Sequence, residues 1–292
     1  MIESNDKEAA LIIAERAAVV GAGFMGSRIA FICAQQGIRT INIDISTEQL
    51  DKARSGVERI LSKLVVKEKI SVKEREEITS LLSYSCEIAS AGEADFVIEA
   101  APEDLGLKKS ILRQIETNCK REAIILSNTS GLSITEIAKD AIHPERIMCA
   151  HFFAPPNIMR LVELIRGEKT SDITYQKTLE FSQQLGKQAV NAPELPGFIV
   201  NRLLIPMIND AAFLHSQGAG KAEIDSAMKL GANHRMGPLE LGDYIGLDVV
   251  LAIMQTLHEG FGDDKYRPCP LIEQLVAENK LGRKTKQGFY SY

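Results

Sequence analysis

Between residues 16 and 192, short apolar runs alternate with stretches in which apolar residues recur every three or four positions. The runs are Val19-Val20 and residues 40–45, 81–85, 95–99, 123–127, 146–153, 161–166 and 188–190. Between the second and third, Leu50, Ala53, Val57, Ile60, Leu61, Leu64 and Val65 trace one face of a long helix. Ser46-Thr47-Glu48-Gln49 has the form of a capping box that opens it, and Ser71-Val72-Lys73-Glu74 opens a short second one. Helical stretches are expected between the strands that follow, with another over 173–185. Strands alternating with helices predict a parallel, doubly wound sheet, and runs such as 124–126 suit strands covered on both faces. The stretch Asn191-Ala192-Pro193-Glu194-Leu195-Pro196-Gly197 ends the alternation. From Phe198 through Leu251 to about Ala277 only helical spacing remains, and Pro206 should kink the first of those helices. Two domains are predicted: an α/β domain over 12–192 and a smaller all-α domain over 193–292. The first 12 residues read as a loose extension.

The first strand runs into Gly21-Ala22-Gly23-Phe24-Met25-Gly26, a G-x-G-x-x-G turn that continues with helical spacing. Gly21 permits the tight turn and Gly23 lets a pyrophosphate approach the backbone. Gly26 lets the helix pack on the sheet, with its N–H groups toward the phosphates. Asp44 ends the next strand, where a carboxylate accepts from the adenosine ribose hydroxyls. Strand, glycines, helix, strand and acid in this order predict a Rossmann-type dinucleotide site. The competing reading is a glycine-rich turn followed by an N-capping Asp44.

A chain of 292 residues needs no disulfide or metal to hold two cores, and 45% hydrophobic with 25% charged residues is ordinary for a globular protein. The net charge of -5 argues against nucleic acid or an anionic membrane as the main partner, while leaving room for a local basic patch. Cys33, Cys86, Cys119, Cys149 and Cys269 form no C-x-x-C, so neither a zinc site nor a disulfide framework is expected. The first dozen residues lack a basic leader and no apolar run approaches a membrane span. A reducing, cytoplasmic setting fits.

A dehydrogenase acting on an alcohol needs a base for the hydroxyl proton. Of five histidines, His143 precedes a proline in a polar loop, and His215, His234 and His258 fall in or near the later helices. Only His151 ends a buried-looking strand at the carboxyl side, where open α/β sheets bind ligands. Glu163, inside Leu161-Val162-Glu163-Leu164-Ile165, would be costly if buried alone, and a His–Glu pair satisfies both groups. The alternative places Glu163 toward solvent on an edge strand.

Six segments occur in the order found in the short-chain L-3-hydroxyacyl-CoA dehydrogenase family, which the chain resembles over residues 16–292. They are Asn128-Thr129-Ser130, His151-Phe152-Phe153, Leu161-Val162-Glu163, Pro196-Gly197-Phe198-Ile199-Val200-Asn201-Arg202, Met236-Gly237-Pro238-Leu239-Glu240-Leu241 and Gly282-Arg283-Lys284-Thr285-Lys286-Gln287-Gly288-Phe289-Tyr290. Within that family, Ala227-Met228-Lys229-Leu230-Gly231-Ala232-Asn233-His234 and Leu61-Ser62-Lys63-Leu64 are most similar to the 3-hydroxybutyryl-CoA dehydrogenases. The resemblance implies NAD as cofactor and a short 3-hydroxyacyl-CoA as substrate in fatty acid metabolism. It also implies a substrate site where the two domains meet, and a homodimer formed through the helical domain.

Residue by residue, the resemblance makes His151 the base and Glu163 its orienting partner. It puts Ser130 and Asn201 at the reacting oxygen and thioester, and Phe24 and Met25 beside the cofactor with the glycines and Asp44. Glu103 and Lys108 match contacts to the nicotinamide half of the cofactor, joined by Ser130, and Lys284 matches a further cofactor contact. Lys67, with Lys63, matches a contact to coenzyme A phosphates, although spacing alone reads both as a solvated helix end. Without the resemblance, Ser130 reads as a turn hydroxyl and Asn201 as a polar contact at a helix start. Two positions depart from the family: Ala154, where asparagine is usual, and Arg28, where glycine is common. A dehydrogenase of free 3-hydroxy acids and a catalytically silent NAD-binding protein remain as rival functions.

Overall fold

The computed structural model describes residues 13–292, so the expected extension over the first 12 lies outside the described residues. The chain divides after Glu194 into two compact units.

In the first unit, eight strands form one sheet. They are β1 (Arg16–Val20), β2 (Arg39–Ile43), β3 (Leu82–Ser85), β4 (Phe96–Glu99), β5 (Ile124–Ser127), β6 (Ile147–Phe152), β7 (Leu161–Arg166) and β8 (Gln188–Ala192). Their spatial order is β3-β2-β1-β4-β5-β6-β7-β8. The helices of this unit are α1 (Phe24–Gln35), α2 (Thr47–Val66), α3 (Val72–Leu81), α4 (Leu105–Asn118), α5 (Ile134–Ile137) and α6 (Asp172–Gln184). Strands β1 to β6 pair in parallel, so the predicted Rossmann-type, mostly parallel sheet is present. The order reverses between β1 and β4, which opens a crevice at the carboxyl ends of those strands.

One pairing breaks the parallel pattern. Residues 153–160 are too few for a crossover, so β7 returns antiparallel to β6. Buried apolar side chains cover both faces of the central strands, with Phe96 of β4 stacked on Phe181 of α6 at 4.1 Å between ring centroids.

Two local expectations need correction. Between β3 and β4 the expected helix is only a 3-10 turn, Ile88–Ala91, because residues 86–95 must carry the chain from the edge strand past β2 and β1. The capping box at Ser46 is half formed. Its hydroxyl accepts from the Gln49 N–H at 3.2 Å, but its own N–H goes to Asp44 and the Gln49 amide donates to the Ala22 carbonyl. The reciprocal box appears at Ser71 and Glu74 instead.

The second unit is helical: α7 (Val200–Ser216), α8 (Lys221–Gly231), α9 (Pro238–Ile245), α10 (Leu247–Phe261) and α11 (Pro270–Ala277). Ile205, Ile208, Leu239, Val250, Met254 and Leu257 form its core. Pro206 lies inside α7, which continues through it. Buried Asp225 accepts from the N–H groups of Leu239 and Glu240, capping α9 from a distance. Buried Asp243 accepts from the N–H groups of Phe289 and Tyr290 and so fastens the last segment of the chain. Among the described residues, no helix is long and apolar enough to cross a membrane.

Candidate active site

The glycine turn follows β1 at the sheet's reversal point. Gly21 has φ +103°, and a Cβ there would stand 2.6 Å from the Ala100 carbonyl. A Cβ on Gly26 would meet the Gly21 carbonyl at 1.9 Å, so α1 sits against the turn with no space for a side chain. At Gly23 a Cβ would meet nothing within 4 Å. This is the open cradle that a pyrophosphate needs, and the residues present fit NAD. Asp44 just beyond β2 accepts from the Ala22 N–H at 2.8 Å and the Ser46 N–H at 3.0 Å. Ser46, not Asp44, is the N-cap of α2.

Asn42 was not foreseen as part of this turn. Its amide donates to the carbonyls of Val19 and Gly21, both at 3.0 Å. The signal for it is a polar residue in the middle of an apolar strand. Phe24 is exposed, and the Arg28 guanidinium lies 3.6 Å from its ring centre. Arg28 also donates to the Phe24 carbonyl. The departure at this position thus places a cation on the first turns of the phosphate-facing helix.

His151 and Glu163 are direct register partners across β6 and β7. Opposed residues in a ladder present their side chains to the same face. His151 Nδ1 lies 2.9 Å from Glu163 Oε2, with the residues 5% and 1% exposed. A carboxylate at that distance makes Nδ1 the proton-bearing nitrogen. The alternative of a solvent-facing Glu163 on an edge strand fails: the residue is 1% exposed, and β8 pairs along the far side of β7. The Phe153 ring packs on the imidazole, with centroids 4.6 Å apart.

Ser130 follows β5 on a turn held from three sides. Asn128 Oδ1 accepts from the Phe152 N–H at 2.9 Å, tying the turn to the end of the histidine strand. Glu103 Oε1 accepts from the Thr129 hydroxyl and, at 2.9 Å, from the Ser130 N–H. The Thr129 hydroxyl in turn accepts from the Leu132 N–H at 3.0 Å. Glu103 is thus tied to the Ser130 turn. Lys108 stands on α4 behind that turn. It is 1% exposed, its ammonium is bound to Glu99, and it lies 3.4 Å from Glu103 Oε2.

The remaining expected residues are placed as follows. Lys63 and Lys67 are exposed at the end of α2, Lys67 as its C-cap. Asn201 lies on the first turn of α7, after left-handed residues Gly197 and Phe198. Lys284 belongs to the second unit, where Asp248 of α10 binds its ammonium. Ala154 is exposed and begins the loop between β6 and β7.

Comparison with known proteins decides the family. Residues 16–195 match the family model for the 3-hydroxyacyl-CoA dehydrogenase NAD binding domain, and residues 197–292 match the one for its C-terminal domain. The chain belongs to the 3-hydroxyacyl-CoA dehydrogenase family. It is similar to the 3-hydroxybutyryl-CoA dehydrogenase of Clostridioides difficile, at 46% identity over 94% of this chain and 98% of that one. The human mitochondrial hydroxyacyl-coenzyme A dehydrogenase is 39% identical over 96% of this chain and 92% of its own. The crystal structure of (S)-3-hydroxybutyryl-CoA dehydrogenase from Ralstonia eutropha superposes with a TM-score of 0.92 at 43% identity, covering 96% of this chain and 99% of that one. The protein is therefore an NAD-dependent oxidoreductase of this family.

Proposed function

We propose that the chain oxidises a short-chain L-3-hydroxyacyl-CoA to the 3-oxoacyl-CoA, reversibly, with 3-hydroxybutyryl-CoA as its preferred substrate. The buried His151–Glu163 pair, at the sheet edge that also carries the glycine turn, is the observation that carries this reading. Bound NAD supplies the hydride acceptor, which no side chain provides. With Nδ1 held by Glu163, His151 takes the C3 hydroxyl proton at Nε2, and Glu163 steadies the imidazolium that results. Ser130 directs a hydrogen bond to the oxygen whose charge changes, so it acts most in the transition state. In the reverse direction His151 returns the proton. Lys63 and Lys67, exposed on α2, offer cations to coenzyme A phosphates.

The relatives' names and the exposed lysines favour a thioester over a free acid. The test is NADH formation over a panel of 3-hydroxyacyl-CoAs of increasing length, alongside free 3-hydroxybutyrate. Turnover of the four-carbon thioester well above that of its free acid is expected. Equal turnover of the free acid overturns the substrate class, and NAD binding without turnover of any thioester points to a silent protein.

We further propose a homodimer formed by the helical unit, supported by exposed Leu203, Leu214 and Leu230. A monomer in sedimentation equilibrium contradicts it. The five unpaired cysteines favour a reducing compartment such as the cytoplasm.

A further inference from the structure

Behind the Ser130 turn lies a buried ion pair. Glu99 ends β4 and Lys108 stands on α4, and their side chains are 4% and 1% exposed. The Lys108 ammonium donates to both Glu99 oxygens, at 2.8 and 3.0 Å, and to the Ala101 carbonyl at 3.2 Å. Glu99 accepts in addition from the Ala101 N–H at 2.7 Å and the Ser127 hydroxyl at 2.6 Å. The three protons of the ammonium are thus directed inward. Its charge still lies 3.4 Å from Glu103 Oε2, on the carboxylate whose other oxygen holds Thr129 and the Ser130 N–H.

Burying a pair of this kind costs desolvation that apolar side chains would avoid, so stability alone is a weak reason for it. Its members join the end of β4, the second turn of α4 and the end of β5, and those segments deliver Glu103 and Ser130 to one edge. We infer that Glu99 and Lys108 are positioning residues that fix the Ser130 turn through Glu103. Loosening a donor by an ångström is enough to slow a reaction by up to about a hundredfold. The inference rests on the proposed 3-hydroxyacyl-CoA oxidation.

The experiment is a mutant cycle read by kinetics and binding on the full chain. One arm is Glu99→Gln with Lys108→Met, which removes both charges and strands neither. The other arm is Glu103→Gln, and the third variant combines them. Kinetics use 3-hydroxybutyryl-CoA with NAD. ADP-ribose, which lacks the nicotinamide, reports the dinucleotide turn by calorimetry.

The neutral pair should lower kcat by roughly ten- to a hundredfold, with KM and the ADP-ribose Kd within about threefold of wild type. Added to Glu103→Gln, it should cost little more, because both act on one element. Lys108→Arg, which keeps the charge, should recover most of the rate lost in Lys108→Met. Ser127→Ala removes one bond to Glu99 and strands no charge, so it keeps the test valid if the neutral pair does not fold. It should lower kcat by about threefold or more with ADP-ribose binding unchanged.

Unchanged kcat in a folded variant overturns the inference. So does a loss fully multiplicative with that of Glu103→Gln, or a parallel loss of ADP-ribose affinity. A wild-type chain that forms no NADH from the thioester instead strikes the proposed function.

Discussion

Asp44 presents its carboxylate at the end of β2 with backbone N–H groups on both oxygens. Those bonds fix it where a 2′-phosphate would bring like charge, and neighbouring Asn42 and Ile45 supply no cation. Catalytic efficiency with NADP should therefore fall at least about tenfold below that with NAD, a difference of about 1.4 kcal/mol. Equal efficiencies in steady-state assays would count against this role for Asp44. Ala154 stands where the family resemblance implies an asparagine. Asn157 lies three residues on, with its Oδ1 enclosed and without a hydrogen bond among the described residues. Lys187 meanwhile pins the same loop through the carbonyls of Pro156 and Met159. If the amide is a lost contact, Ala154→Asn adds a bond worth about 0.5–1.5 kcal/mol, or roughly a two- to tenfold gain in efficiency. If alanine instead makes room for a bulkier acyl group, the variant loses activity on branched thioesters while gaining on 3-hydroxybutyryl-CoA. No gain on any straight-chain thioester removes the lost-contact account.

The turn from β1 into α1 was legible because each of its glycines answers a separate steric demand. Those demands part company on substitution. Gly26→Ala drives a Cβ into the Gly21 carbonyl, and overpacking of that kind costs about 1–3 kcal/mol, so Tm should drop by several degrees. Gly23→Ala meets no protein atom, so Tm should hold within about 2 °C while NAD affinity falls about tenfold or more. Thermal melts and calorimetry of the two variants separate these effects, and a large Tm loss in Gly23→Ala would contradict the open cradle. The strand alternation and the His151–Glu163 pair were also legible, since a lone carboxylate inside an apolar strand demands a partner. Other features were not. Lysine reads as solvent-facing in any periodicity, so burial of Lys108 beneath Glu103 left no trace in the spacing of α4. At Ser46 the box motif was present, but Asp44 competed for the N–H it needed.

Across the whole molecule, what escaped the sequence was where buried charge is neutralised over long separations. Asp225 and Asp243 each accept from backbone N–H groups well removed along the chain, and no local pattern marks such partners. Burial also sets thiol chemistry in both units. It pushes the Cys33 thiol up to about 12 and Cys119 to about 11, raises Cys149 well above its ordinary value, and encloses Cys269. Cys86 is the exposed thiol. A disulfide reagent at pH 8 should therefore titrate a single fast thiol in the native protein and all five after unfolding, with Cys86→Ser removing the fast phase. Two or more fast thiols would show that the interior opens more readily than its packing implies.

The central claim is that proton transfer takes place at His151, oriented by Glu163. Its most direct test is kcat on 3-hydroxybutyryl-CoA at saturating NAD for wild type, His151→Ala, Glu163→Gln and the double variant. His151→Ala should lose about 10²–10⁴-fold, and Glu163→Gln should lose rate as well, since a neutral amide does not stabilise an imidazolium. Because the two act as a unit, the double variant should be little slower than the slower single one. Near-wild-type turnover by His151→Ala, or losses that multiply in full, would contradict the account.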